Sequence, residues 1–188
     1  MSDTLIFIGL AFRLVLFVGV LVYVSFTDLY WRRVPNVVTY PAIIIALCLL
    51  LVEPNPVSGL WGALVGGLVL LIPVLRYGPE RAGVGDVKLA LFIGLVLGFP
   101  ATFYALFAAF GIGAIVAGAG VVAGRWHHTS SIPFAPFLAL GAIIVWFSCG
   151  PADSFQIAFD HMNAELLEGV SRAVYDVSQP QPLLHPLK

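Results

Sequence analysis

Between Thr4 and Cys149 the sequence is a succession of long apolar runs separated by short polar turns. Val57–Leu75 and Ala101–Ala123 contain no charged residue at all. A helix built from such a run is apolar on every side and has no face to offer to water. With 60% hydrophobic residues, 10% charged residues and a mean hydropathy of +1.00, a chain of 188 residues cannot hide its apolar surface in a soluble core. The chain is therefore expected to be an integral membrane protein. A spanning helix needs roughly 20 apolar residues, which leaves room for about six. An outer-membrane barrel would need alternating apolar and polar positions, and the unbroken runs exclude it. The expected fold class is all-α: a polytopic transmembrane bundle of about six helices over residues 1–150, with an extracytoplasmic tail over 151–188.

The first run, from about Thr4 to Phe26, does not read as a cleavable signal, because Asp3 precedes it and no Ala-x-Ala site follows. Arg13 interrupts it and is expected to snorkel to the nearer surface or pack inward, with a structural ion pair or a substrate role as alternatives. Tyr30 and Trp31 suit the headgroup level. Pro35 and Asn36 read as a stop and a helix start, with Asn36 as N-cap. Further runs cover Val37–Val52, Val57–Leu75, Val87–Leu97 and Ala101–Ala123, and the last ends near Cys149. Gly62 and Gly66 form a Gly-x-x-x-Gly pair that signals close helix packing. The Gly- and Ala-rich fifth run is expected at the centre of the bundle. Pro133 and Pro136 imply an irregular lead-in to the last run, of a kind tolerated inside protein or beside a wet cavity.

Arg32, Arg33, Arg76, Arg81, Lys88 and Arg125 fall at turns on one face, six of the nine basic residues. The turns at Glu53 and Gly98 carry none. Positive charge favours the cytoplasm, which places that face inside and both termini outside. In the tail, Phe155, Phe159, Met162, Leu166, Val170 and Val174 recur at helical spacing and predict an amphipathic helix, with a Pro-rich disordered end after Gln179. The net charge of −1 says nothing about partners; without a basic patch no nucleic-acid partner is expected, which leaves the lipid bilayer. Cys48 and Cys149 form no Cys-x-x-Cys pair, so no metal site is expected, and they are read as separate packing residues.

Two carboxylates on the basic face carry the chemistry. Asp28 ends the first run, and Asp86 stands at the mouth of the fourth, after Gly83 and Gly85. The glycines let the backbone bend or approach the first helix or a substrate strand closely. A carboxylate at such a place is costly unless it caps a helix, finds a partner or reacts. Asp86 as an N-cap worth about 1 kcal/mol, and Asp28 paired with Arg32 at i+4, are the structural alternatives. Brought together, two such acids cannot both ionise and share a proton, so one activates water while the other protonates a carbonyl oxygen. No Ser, His or Cys arrangement competes. The adjacent His127 and His128 and the loop acid Glu80 are read as solvated loop residues. Lys88 points to another helix face than Asp86 and either snorkels or tunes its field.

Asp28 with Val34-Pro35-Asn36, then Gly83-Val84-Gly85-Asp86-Val87-Lys88, then Pro133-Phe134-Ala135-Pro136, resembles the type IV prepilin peptidase family of Gly-x-Gly-Asp membrane aspartic proteases. The resemblance implies Asp28 and Asp86 as the catalytic pair, with Gly83, Gly85, Lys88, Pro35, Asn36, Pro133 and Pro136 shaping the site. It implies a prepilin or pseudopilin precursor as substrate, cut after a glycine behind a short basic leader, at the cytoplasmic side of the bacterial inner membrane, and no cofactor. Bifunctional members carry paired Cys-x-x-Cys motifs and also N-methylate the product. Without those motifs, the chain is expected to lack methyltransferase activity. The rival reading is a non-enzymatic carrier or pilus-assembly factor whose acids bind protons or ions.

Overall fold

Proline and glycine divide the chain into helices. The computed structural model describes residues 3–53, 55–78, 83–124, 133–149, 167–172 and 174. The helices are α1 (Asp3–Trp31), α2 (Asn36–Leu50), α3 (Pro56–Tyr77), α4 (Val84–Leu97), α5 (Ala101–Val122) and α6 (Ala135–Cys149). Arg32 stops α1 by taking a left-handed conformation, φ 51°, and Pro35 keeps the residue before it out of the helical region. Pro56 opens α3 at the position where a missing N–H costs nothing. Gly78 and Gly98 close α3 and α4 with φ of 85° and 70°.

Long and short helices alternate. α1, α3 and α5 each contain a stretch long and apolar enough to cross a membrane: Ala11–Trp31, Pro56–Tyr77 and Ala101–Val122. The 14 residues of α4 rise only about 21 Å, short of a hydrocarbon core of about 30 Å. The helical membrane bundle of about six helices is as expected, although not every helix has the length of a full span. A helix wrapped by other helices need not match the bilayer, because its ends meet protein rather than lipid.

α4 is that wrapped helix. Leu89, Ala90 and every residue from Phe92 to Leu97 are buried. It packs chiefly on α3, then on α2 and α6. The expected close packing at Gly62 and Gly66 is present: a β-carbon at Gly66 would stand 2.8 Å from the Ala90 carbonyl oxygen, and Gly62 lies against the backbone of Gly94. The expectation of a central α5 is corrected. Its buried residues are a strip from Ala101 to Ala109 and Gly120 near its end, while Phe103, Phe107, Phe110 and Ile115 face outward. It packs chiefly on α6, where Gly141 meets Ala105 and Ala109, and less on α3 and α4. In a bilayer an outward aromatic costs nothing, so composition does not tell centre from rim.

The polar ends of the bundle differ. Arg13 is buried, ion-paired with Glu53, and its Nη2 donates to the Val96 carbonyl at 2.6 Å. It packs inward, as expected, but as an ion pair rather than by snorkelling. Cys48 is exposed with a free thiol. The tail expectation falls mostly outside the described residues. Within them, 167–172 is helical with Leu167 and Val170 exposed.

Candidate functional site

The buried face of α1 carries Arg13, Phe17, Val20, Leu21, Val24 and Asp28, at spacings that follow one side of a helix. Asp28 lies in the last turn, because α1 runs on to Trp31 instead of ending at Phe26. Only 7% of it is exposed. Its Oδ2 accepts a 3.2 Å hydrogen bond from the backbone N–H of Ala135, the first residue of α6. The next free N–H groups of α6, those of Phe137 and Leu138, already bond to the Phe134 carbonyl, and Pro136 has none. The carboxyl thus satisfies an orphan donor of another helix. Among the described residues Arg32 makes no ion pair within 4 Å of Asp28, though its charge stays within electrostatic reach of that carboxyl.

Asp86 lies in the first turn of α4, which begins at Val84 rather than Val87. Gly83 is the N-cap and no side chain caps the helix, so the capping alternative for Asp86 is not realised. The glycines act differently from the expected bend. Gly83 has a φ of −65°, open to any residue. What it supplies is space: a β-carbon there would stand 2.7 Å from Oδ2 of Asp86. At Gly85 a β-carbon would stand 2.5 Å from Cβ of Val34. Gly85 therefore brings the start of α4 onto the α1–α2 turn.

These elements border an open cavity of about 320 Å³. Asp28, Arg32, Arg33, Val34 and Asn36 line one side, and Gly83 to Asp86 with Lys88 line the other. The two carboxyls lie within electrostatic reach of each other. Lys88 reaches across to α2. Its Nζ donates to Oδ1 of Asn36 at 2.8 Å and sits 4.6 Å from the centre of the Tyr40 ring. Asn36 is correspondingly not the N-cap of α2: Pro35 holds that position, and its carbonyl accepts from Val38 and Thr39.

Of the expected site residues, Asp28, Asp86, Gly83, Gly85, Lys88 and Asn36 line the cavity. Pro35 shapes the turn beside it. Pro133 and Pro136 flank the Ala135 N–H that reaches Asp28. Glu80, Arg81, His127 and His128 fall outside the described residues. The Ala135 donor was missed, since a backbone N–H has no letter in a sequence; the paired prolines around it were the available signal. Among the described residues no three His, Cys, Asp or Glu side chains gather as a metal-binding group.

The type IV leader peptidase family matches residues 15–118, which include both acids. The chain is 33% identical over 149 residues to the prepilin leader peptidase/N-methyltransferase of Bacillus subtilis (strain 168), covering 78% of this chain and 59% of that protein. It thus spans less than two thirds of that relative's length. No solved structure matches the chain significantly. With more than half of its length matched, the chain belongs to the type IV leader peptidase family.

Proposed function

We propose that this protein is an aspartic endopeptidase that removes the short basic leader of prepilin or pseudopilin precursors at the cytoplasmic border of a bacterial inner membrane. The observation that carries this reading is that Asp28 and Asp86, from the ends of different helices, line one cavity. The space suffices for water, at about 30 Å³ per molecule, together with a short extended peptide.

In this reading one carboxylate takes a proton from water as the oxygen attacks the scissile carbonyl carbon. The partner, protonated, gives its proton to the carbonyl oxygen, and a gem-diol forms. Collapse breaks the C–N bond while a proton passes to the leaving amine, and the pair returns to its starting state. The Ala135 N–H holds Asp28 in place for this exchange. The two glycines keep bulk away from Asp86 and from the turn beside it. Arg32, Arg33 and Lys88 stand on both walls of the cavity and repel a basic leader, so the positive charges of the leader lie outside it. No step calls for a metal.

The test is cleavage by the protein in vesicles of a precursor with a basic leader ahead of an apolar helix, run in ¹⁸O-enriched water. The reading predicts one cut at the leader junction, one ¹⁸O atom in the new carboxyl of the leader, and no inhibition by chelators. Ion flux without cleavage, or cleavage lost on chelation, would contradict it.

A further inference from the structure

Asp28 and Asp86 ride on α1 and α4, and the two helices run in opposite directions. Their alignment along the axis decides whether the acids meet. Yet α1 leans mainly on α6 and touches α4 little. The contacts it does make include Phe17 on Phe92, with ring centres 6.0 Å apart. Such an apolar contact can slide.

Arg13 cannot slide in the same way. It stands on the same buried face of α1 as Asp28, about 22 Å away at ~1.5 Å per residue. Val96 stands on α4 about 15 Å from Asp86 by the same measure. The difference is bridged by the long Arg13 side chain, whose Nη2 bonds to the Val96 carbonyl at 2.6 Å. Glu53, from the turn between α2 and α3, pairs with the same guanidinium. Both side chains are close to nine-tenths withdrawn from solvent. A fork of fixed geometry thus ties α1, the α2–α3 turn and the C-terminal end of α4 together, where the helix dipole favours a cation.

We infer that Arg13, with Glu53, is a positioning residue: it fixes the axial register of α1 against α4 and so sets Asp28 opposite Asp86 at the far ends of these helices. The inference rests on the aspartate-pair reading for its effect on rate, but the register itself is measurable without any activity.

The experiment uses two variants, Arg13→Gln and the double variant Arg13→Gln with Glu53→Gln. The double variant leaves no unpaired buried charge, which covers the case in which the single variant does not fold. Each is assayed for precursor cleavage per folded molecule. Each is also spin-labelled at Tyr30→Cys and Val84→Cys, with Cys48 and Cys149 replaced by Ser, for a distance measurement in vesicles. A misplacement of about 1 Å far from the chemistry costs up to about 100-fold in rate. The expected result is a fall in kcat on the order of 10- to 100-fold at unchanged KM. The label distance should shift or broaden by at least one residue's rise, about 1.5 Å. A distance distribution identical to that of the parent, or an unchanged kcat with only a lower unfolding temperature, would overturn the inference. If the distance shifts while Asp28→Asn still cleaves, the register claim stands and the aspartate-pair reading falls.

Discussion

The backbone N–H of Ala135 points at Oδ2 of Asp28 across 3.2 Å, so the first turn of α6 ends on a carboxyl carried by α1. The contact joins two of the three sequence motifs in space. It also gives the Pro-Phe-Ala-Pro stretch a physical purpose: an irregular lead-in that leaves one donor free, on a chain held at a fixed angle by two prolines.

Ala135→Pro removes that donor while keeping a residue suited to the first turn of a helix. A hydrogen bond of net worth about 0.5–1.5 kcal/mol is lost, which corresponds to a cleavage rate lower by up to about tenfold. Ala135→Gly keeps the N–H and should lose less. Rates per folded molecule for the two variants decide it.

Gly85→Ala drives a methyl group against Val34. Overpacking of this kind costs about 1–3 kcal/mol. Both the unfolding temperature and the cleavage rate should fall. Val34→Ala in the same chain makes room and should recover most of both. If the second substitution rescues nothing, the glycine is needed for another reason than its approach to Val34.

Lys88→Met and Asn36→Ala each break the same contact at the cavity wall. Their effects on stability should not add. The double variant should be less destabilised than the sum of the singles by about 0.5–1 kcal/mol, as for residues in direct contact. Unfolding in detergent across the four-protein cycle measures that difference, and strict additivity would remove Lys88 as the tie between α2 and α4.

Gly94→Ala meets backbone, not a flexible side chain, because Gly62 and Ala63 of α3 lie directly over it. Neither helix can give way locally, so α3 and α4 must separate. The expected loss is at least about 3 kcal/mol. Yield of folded, monodisperse protein should drop far more than for Gly118→Ala on α5, where a methyl group meets nothing within 4 Å.

Much of this fold can be read from the letters, and the misses have physical causes. The apolar runs, the turn residues and Gly62-x-x-x-Gly66 announce helices and one tight crossing. Lipid is as apolar as a protein core, so hydropathy cannot separate the enclosed α4 from the peripheral α5. The placing of Asp28 and Asp86 at one end follows from the basic residues around them. Helix ends proved less legible: α1 extends past Asp28 and α4 begins before Asp86, which moves both acids from loops into helical turns. Asn36 has the chemistry of an N-cap, but Lys88 takes its side chain instead. Arg13 and Glu53 show no local signature of their partnership, since only the folding of α2 back along α1 brings them together.

In the proposed reaction Asp28 and Asp86 act as one unit. The most direct measurement is precursor cleavage by Asp28→Asn and by Asp86→Asn, each at a matched amount of folded protein in vesicles. Asparagine keeps the shape and can neither take up nor deliver the proton, so each variant should lose cleavage by at least about 10³-fold, and the double variant should be no worse than either alone. Cleavage near the parent rate by either single variant would contradict the account.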